Sequence, residues 1–574
     1  MSALLANSAS ISRPLPPWTN DVNSPNAPKP SSEGETTGAG AGRLEADQNV
    51  LDLFLSNHIE ALRRWRNLYR QRARCGTNRE LWAFTAAGAH VAQGALQQCR
   101  LQRPGPHLRV FSRLLEELDL CPLVQEIVCQ DDFFDEYPDF IMSVLEIIMG
   151  VLEIIMSIVD ISAKATSLLG PLQGIIPALC DTAWENRDFL CNDENVDRYY
   201  PRCRHGVRDG LYFVILSLVL ASPERYEADV AIRRAGLLCW FYCPDAETDD
   251  NLTLSAVLLQ HATRDFAADF YDGSPVLDPG VPSAGLVDFM RLDVLPALGA
   301  APYLERLLKT LQHPSLLNNS LIWTVSSACR SIANHPELLT NLAPSGVLSA
   351  IIEAINAQAL RGNPDTQSQV LAEIVGLYSM TIRISASVPG IQSVIPAFVR
   401  EGCLVEMEAR ALRICVAEGQ VGGLSYEHSL YALDGFRTCA IAMNKLSPKN
   451  TLRKTIRQGF REQWYPTLAF LRRTRTGSTS IGEHDQVTLA WQTLGEELGL
   501  DENTQKADYE REIRKALRRC AWKGCQYHER EPPVALRACK GCADARYCSS
   551  TCQRKDWRDG HKSRCKRLND ATPA

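Results

Sequence analysis

Seven cysteines and one histidine crowd into the last tenth of this 574-residue chain, and no other feature limits its folding choices as strongly. They form four pairs, Cys520/Cys525, Cys539/Cys542, Cys548/Cys552 and His561/Cys565, within 46 residues. Spacers of two to four residues let two thiolates face one ion, and a tetrahedral zinc ion takes four such ligands. Eight ligands close two sites with none left over. A closed site has no open position for water, so the metal folds this segment rather than doing chemistry. The spacing by itself permits either sequential or interleaved pairing of the four ligand pairs.

The residues between the ligands sharpen the reading. Cys542-Ala-Asp-Ala-Arg-Tyr-Cys548-Ser-Ser-Thr-Cys552-Gln-Arg-Lys-Asp-Trp557-Arg-Asp-Gly-His561-Lys-Ser-Arg-Cys565 resembles the MYND zinc finger in its Tyr-Cys, Cys-Gln-x3-Trp and His-Lys-x2-Cys elements. The resemblance covers residues 520–565 and implies a cross-brace. One zinc then takes Cys520, Cys525, Cys548 and Cys552, and the other takes Cys539, Cys542, His561 and Cys565. Two departures concern loop geometry rather than metal binding: the first pair is separated by four residues, and the loop from Gln526 to Ala538 is long. The resemblance further implies a protein-interaction module that holds short proline-containing peptides in a shallow groove. Its groove residues correspond to Gln553 and Trp557. An aromatic face suits a proline ring and an amide can fix backbone direction. The other role open to Trp557 is to cap a core too small to stand without metal.

Charge is unevenly distributed. Residues 511–570 hold 17 Lys and Arg against 7 Asp and Glu, a formal +10, while the rest of the chain carries 44 against 60. Two zinc ions and seven thiolates reduce the finger's excess by three. A basic module on an acidic body can contact phosphate, but no element presenting side chains to a groove is recognisable, so direct nucleic-acid binding is the weaker alternative.

The first 45 residues are rich in Ser, Pro, Asn, Gly and Thr, with Pro-Leu-Pro-Pro-Trp at 14–18. Such a stretch buries too little apolar area to offset its ordering entropy, which predicts disorder. It lacks the basic-then-apolar pattern of a secretory leader. Thirteen further cysteines, Cys75 to Cys439, lie scattered in apolar company such as Leu238-Cys239-Trp240 and read as reduced core residues. The expected compartment is nucleus and/or cytoplasm.

From Ala46 to about residue 510 the pattern is helical, with Pro and Gly falling between apolar-periodic runs (Glu80–Arg100, Leu108–Cys129, Leu211–Leu220). Period-two alternation is hard to find, so the class is all-α. Phe140 to Val159 is nearly long and apolar enough to span a bilayer, but Glu146, Glu153 and Asp160 recur every seventh residue. A central acid costs roughly 2.5–3.5 kcal/mol to insert, which favours a helix buried among helices and no membrane association. Tyr303–Leu308 recurs in kind at Val347–Ile352 and Val394–Val399, with Trp464–Phe470 as a degenerate copy. That spacing predicts an irregular armadillo- or HEAT-like solenoid over about 283–472. The expected domains are a disordered segment (1–45), a helical scaffold (46–510) and the two-zinc finger (516–568).

Catalytic signatures are absent: no Walker A loop, dinucleotide turn, nucleophile elbow or His-Glu-x-x-His. Some MYND fingers sit inside SET lysine methyltransferases, but only nine residues follow Cys565 and nothing resembles the SET motifs. The chain therefore reads as a non-enzymatic adaptor without a small-molecule substrate. Its expected cofactors are two structural zinc ions and its expected partners are proteins with proline-containing motifs. Transcriptional regulation and substrate bridging for a ubiquitin ligase, as in some fungal armadillo–MYND proteins, are its two candidate settings.

Overall fold

The computed structural model describes residues 47–75, 79–103, 105–116, 120–136, 138–158, 164–187, 210–212, 214–215, 229–242, 249–263, 284–333, 335–363, 365–385, 394–401, 403–418, 426–444, 451–474, 481–562 and 565. The N-terminal segment with its proline run, Leu216–Leu220, the side chain of Glu153 and all of Asp160 lie outside the described residues.

Among the described residues the protein is all-α: 83% are helical, in 23 α-helices, and the strands are one antiparallel pair of two residues each. Periodicity decides which helix faces are buried. In Pro106–Glu116, Val110, Phe111 and Leu114 are buried while Arg109 and Arg113 are exposed, the three-and-four spacing of an apolar stripe. Asp229 starts Val230–Phe241 by accepting from the Ala231 and Ile232 amides, and Asp501 does the same for Thr504 at the head of Glu502–Leu517.

The apolar helix Pro138–Ile158 lies in the main core, packed on Arg79–Arg100, with Phe140, Ile141, Val144, Leu145, Ile148, Val151 and Leu152 buried. Glu146, in the middle of that helix, is half-buried. No single described helix is long and apolar enough to cross a membrane. Pro336–Ser345 and Val347–Arg361 meet that measure only as a pair bent by 69°. Leu338, Leu339, Leu342, Leu348, Ile351 and Ile355 of that pair are all buried in the main core.

Seven helices pack each on the next in chain order: Lys164–Glu185, Val230–Phe241, Asp249–Thr263, Asn318–Ala333, Asp365–Ser385, Tyr426–Asn444 and Ile481–Glu497. The look-alike segments fall in a second set of helices. Tyr303–Leu308 lies in Ala300–Leu311, which packs on Val347–Arg361, the helix opened by the second copy. The third lies in or beside Ile395–Arg400, which packs on Thr451–Thr474, the helix holding Trp464–Phe470.

The body ends in a tightly matched pair of tryptophans. Trp464 Nε1 donates to the Trp491 carbonyl and Trp491 Nε1 to the Trp464 carbonyl, each at 3.0 Å, and both rings are fully buried. Glu502–Leu517 then leads to the finger. Its first two turns are fastened to Thr451–Thr474 by Arg472 to Glu502 and by Arg461 to Asp508 at 2.9 Å, with Gln505 buried. Beyond Asp508 nearly every residue up to Ala516 is exposed, so this linking helix projects past its support on the body.

Candidate metal centre

Cys520 to Cys565 forms a core of its own, separate from the main one, with Cys520, Cys539, Cys542, Tyr547 and Cys552 buried. Backbone hydrogen bonds lace its loops together. Cys520 N donates to the Tyr527 carbonyl, Ala521 N to the Arg546 carbonyl and Cys539 N to the Ala545 carbonyl. The long loop from Gln526 returns into β1 (Arg537–Ala538), which pairs antiparallel with β2 (Arg546–Tyr547). These two strands are the structure that period-two patterning does not reveal, because two residues are too few to alternate. The helix Ser550–Asp556 starts at Ser549, whose Oγ accepts from Cys552 N at 3.1 Å, and this fixes the Cys552 thiol toward the first cluster.

The ligand atoms gather into two groups, Cys520, Cys525, Cys548 and Cys552 in one and Cys539, Cys542, His561 and Cys565 in the other, all within 4.8 Å of one another in each group. Pairing is therefore interleaved, the first ligand pair with the third and the second with the fourth. Tetrahedral zinc with Zn–S near 2.3 Å and Zn–N near 2.05 Å sets S···S edges of about 3.8 Å and S···N edges of about 3.5 Å. The first group has Cys525–Cys548 and Cys548–Cys552 Sγ separations of 3.5 Å each. In the second, Cys539 and Cys565 Sγ are 3.8 Å apart, and His561 Nε2 is 3.4 Å from Cys539 Sγ and 3.7 Å from Cys542 Sγ. These are the edges of a zinc tetrahedron, and far too long for disulfides. The residues present therefore fit two zinc ions, one bound by four thiolates and one by three thiolates and an imidazole.

In this geometry the thiols of the second group hold their protons unevenly. Burial raises the Cys539 thiol, but the amides of Cys542 and Gly541 and the neighbouring His561 and Cys565 outweigh it and bring it down to about 6. Burial, then hydrogen bonds with Cys539 and Cys542, push Cys565 up to about 11. In the first group Cys548 is pushed up to about 12 by burial and by its three cysteine neighbours. A bound zinc removes these protons outright, so loading releases protons and weakens as pH falls.

Gly541 leaves room for the last ligand: a Cβ there would stand 2.7 Å from Cys565 Sγ. Gly560, at φ +121°, breaks the helical run just before His561, a conformation that favours glycine.

A layer outside the ligands, which spacing did not single out, supports the second group. Tyr547 Oη donates to Asp556 Oδ2 at 2.7 Å, and both residues are buried. The same oxygen lies 3.9 Å from His561 Nδ1, on the imidazole edge away from the Nε2 that faces the sulfurs. Burial and the Asp556 bond hold the Tyr547 phenol well above its usual range. Asp559 accepts from Trp522 Nε1 at 2.7 Å, tying the first zinc loop to the segment that carries His561. The signal in the sequence was the Asp-Trp before Arg558 and the Tyr before Cys548, but only folding shows that they meet.

Gln553 and Trp557 stand one turn apart and are both half-buried. The Trp557 and His561 rings meet edge to face, with centroids 5.8 Å apart at 61°. The same side chain thus touches a ligand and stays partly accessible.

A model of the MYND finger family matches residues 520–565. No curated protein and no solved structure matches the chain.

Proposed function

We propose that this protein, which carries a MYND finger at residues 520–565, is a non-enzymatic adaptor. The finger recruits a partner through a proline-containing motif, and the helical body holds a second protein. What carries this reading is the closure of both ligand sets. Four protein ligands per ion leave no coordination position for water or substrate, so the metal's role is to hold the surface of the segment Ser550–His561 in place. That surface bears Gln553 and Trp557 side by side. The seven helices stacked in chain order support the reading of the body as a scaffold, since stacked helices offer extended partner surfaces. Transcriptional regulation, in the nucleus and/or cytoplasm, is the setting most in keeping with such a recruiter.

The test is zinc content and binding to a library of proline-containing peptides, on the full chain and on Trp557→Ala and Trp557→Phe. Two zincs throughout, with binding lost in Trp557→Ala and kept in part by Trp557→Phe, is the expected result. Loss of the second zinc in Trp557→Ala would reduce the ring's role to supporting His561. No peptide binding by a two-zinc wild-type protein would overturn the recruiting role of the finger.

A further inference from the structure

The charged side chains of the segment Ser550–His561 are sorted by sign. Its two acids are already engaged, the buried Asp556 with Tyr547 and the exposed Asp559 with Trp522. One of its cations is also committed, with Lys555 Nζ 4.6 Å above the centre of the Trp522 ring. Arg554 and Arg558 remain. Both are exposed, they stand one turn apart, and among the described residues neither has an ion-pair or hydrogen-bond partner. Some exposed arginines elsewhere are matched, Arg70 with Glu126, Arg291 with Asp288, Arg461 with Asp508 and Arg472 with Glu502, while others such as Arg109, Arg113 and Arg473 stand singly without a partner among the described residues. Like charges four residues apart on a helix repel. The finger therefore keeps an unpaired cation pair on the column next to Gln553 and Trp557.

We propose that the motif taken by the Gln553–Trp557 face is acidic as well as proline-containing, with two Asp or Glu carboxylates one residue apart meeting Arg554 and Arg558. This rests on the peptide-binding reading given above. The spacing suits an extended peptide. Side chains one turn apart on a helix are about 5–6 Å apart at Cβ, and alternate residues of an extended chain lie about 6.6 Å apart on one side. Each guanidinium offers a planar fork that takes a carboxylate through two hydrogen bonds. A peptide laid along Gln553 and Trp557 thus has its proline on the aromatic ring and its acid-x-acid step on the arginines.

The test uses the full chain with both zincs bound. Its probes are two labelled peptides with the same proline core, one flanked by Asp-x-Asp and the other by Asn-x-Asn. The aspartate peptide is expected to bind about tenfold tighter at low salt, the contribution of two exposed ion pairs. That ratio should shrink toward one at 1 M salt, where screening extends only about 3 Å, and toward one in Arg554→Gln/Arg558→Gln. Equal binding of the two peptides by the wild-type protein overturns the inference and leaves the peptide reading standing. Binding of neither overturns both. A short single-stranded oligonucleotide held through the same arginines more tightly than either peptide assigns the pair to phosphate and overturns the inference. Should the double variant lose zinc, the salt dependence of the wild-type ratio still decides, and Arg554→Lys/Arg558→Lys is expected to retain the preference.

Discussion

The helical body and the finger are held together by different physics. The body has a continuous core running from Leu51 to Leu500, with tryptophans such as Trp65, Trp240, Trp464 and Trp491 fully enclosed. The finger's fully enclosed side chains are few, and most are cysteines whose thiols face one another. Burial at roughly 25 cal/mol per Å² suffices for the first and not for the second. Loss of any one core side chain should therefore weaken the body by a fraction of its stability. Loss of any one ligand should remove a whole site from the finger.

The sharpest way to break this comparison is to remove the metal. Structural zinc contributes on the order of 10–16 kcal/mol in small finger peptides, which is their folding energy. Chelation is expected to unfold residues 520–565 while the helical signal and its thermal transition stay in place. Cys548→Ala should release about one zinc and loosen the finger in the same way, as read by zinc content and circular dichroism. A helical transition that collapses with the metal would show the two regions to be one cooperative unit. The reciprocal experiment is Trp491→Ala, which removes a buried ring and the partner of the Trp464 carbonyl. It should cost about 3–5 kcal/mol in the body and leave zinc content untouched.

A subtler imbalance sits within the body. Glu408, on Leu404–Glu418, is fully buried, and among the described residues neither carboxylate oxygen has a hydrogen-bond partner. Burial pushes its pKa up to about 8. The folded protein thus holds a proton that the unfolded chain releases near pH 4.5, so stability falls as pH rises from there to about 8 and then levels. Glu408→Met keeps the volume and removes the carboxyl. It should stabilise the body by about 1–3 kcal/mol above pH 8, with the gain shrinking as pH falls below 8. Urea denaturation at pH 5.5 and pH 9 reads this directly, and equal gains at both pH values would mean that Glu408 ionises in the folded protein as it does in the unfolded chain.

Much of this architecture is legible in the order of residues alone. Ligand identity and number follow from chemistry that tolerates few substitutes, so Cys520 to Cys565 declares itself. The helical class follows from the spacing of apolar residues, although Pro344 and Pro466 lie inside helices rather than between them. The interleaved pairing does not follow from spacing, because sequential and crossed pairings use the same short loops; the resemblance carries it and the two clusters display it. The apolar run from Phe140 reads as buried rather than spanning because of its recurring acids. What stays hidden depends on contacts between distant residues. The reciprocal Trp464–Trp491 bonds join positions 27 apart, and Glu408 looks like any helix surface glutamate until its helix is packed on three sides. Similarly, Asp556 reads as a polar helix residue until Tyr547 reaches it.

Asp556 gives the smallest and most selective of these tests. It is not a ligand, and it touches the second site only through Tyr547 and through the 3.9 Å contact with His561 Nδ1. Groups in that position orient a metal-bound imidazole and raise its basicity, and removing one typically lowers metal affinity 10- to 100-fold. The long contact places Asp556→Asn at the lower end, about tenfold, because asparagine keeps an oxygen for the Tyr547 hydroxyl while losing the charge. Competition with a chromogenic chelator should then show one zinc leaving at about tenfold lower chelator concentration and the other unchanged. Tyr547→Phe tests the other half of the pair by leaving the buried carboxylate without its donor. If both zincs weaken together in Asp556→Asn, the carboxylate is supporting the fold of the whole finger rather than one ligand, and the two sites stand or fall as one.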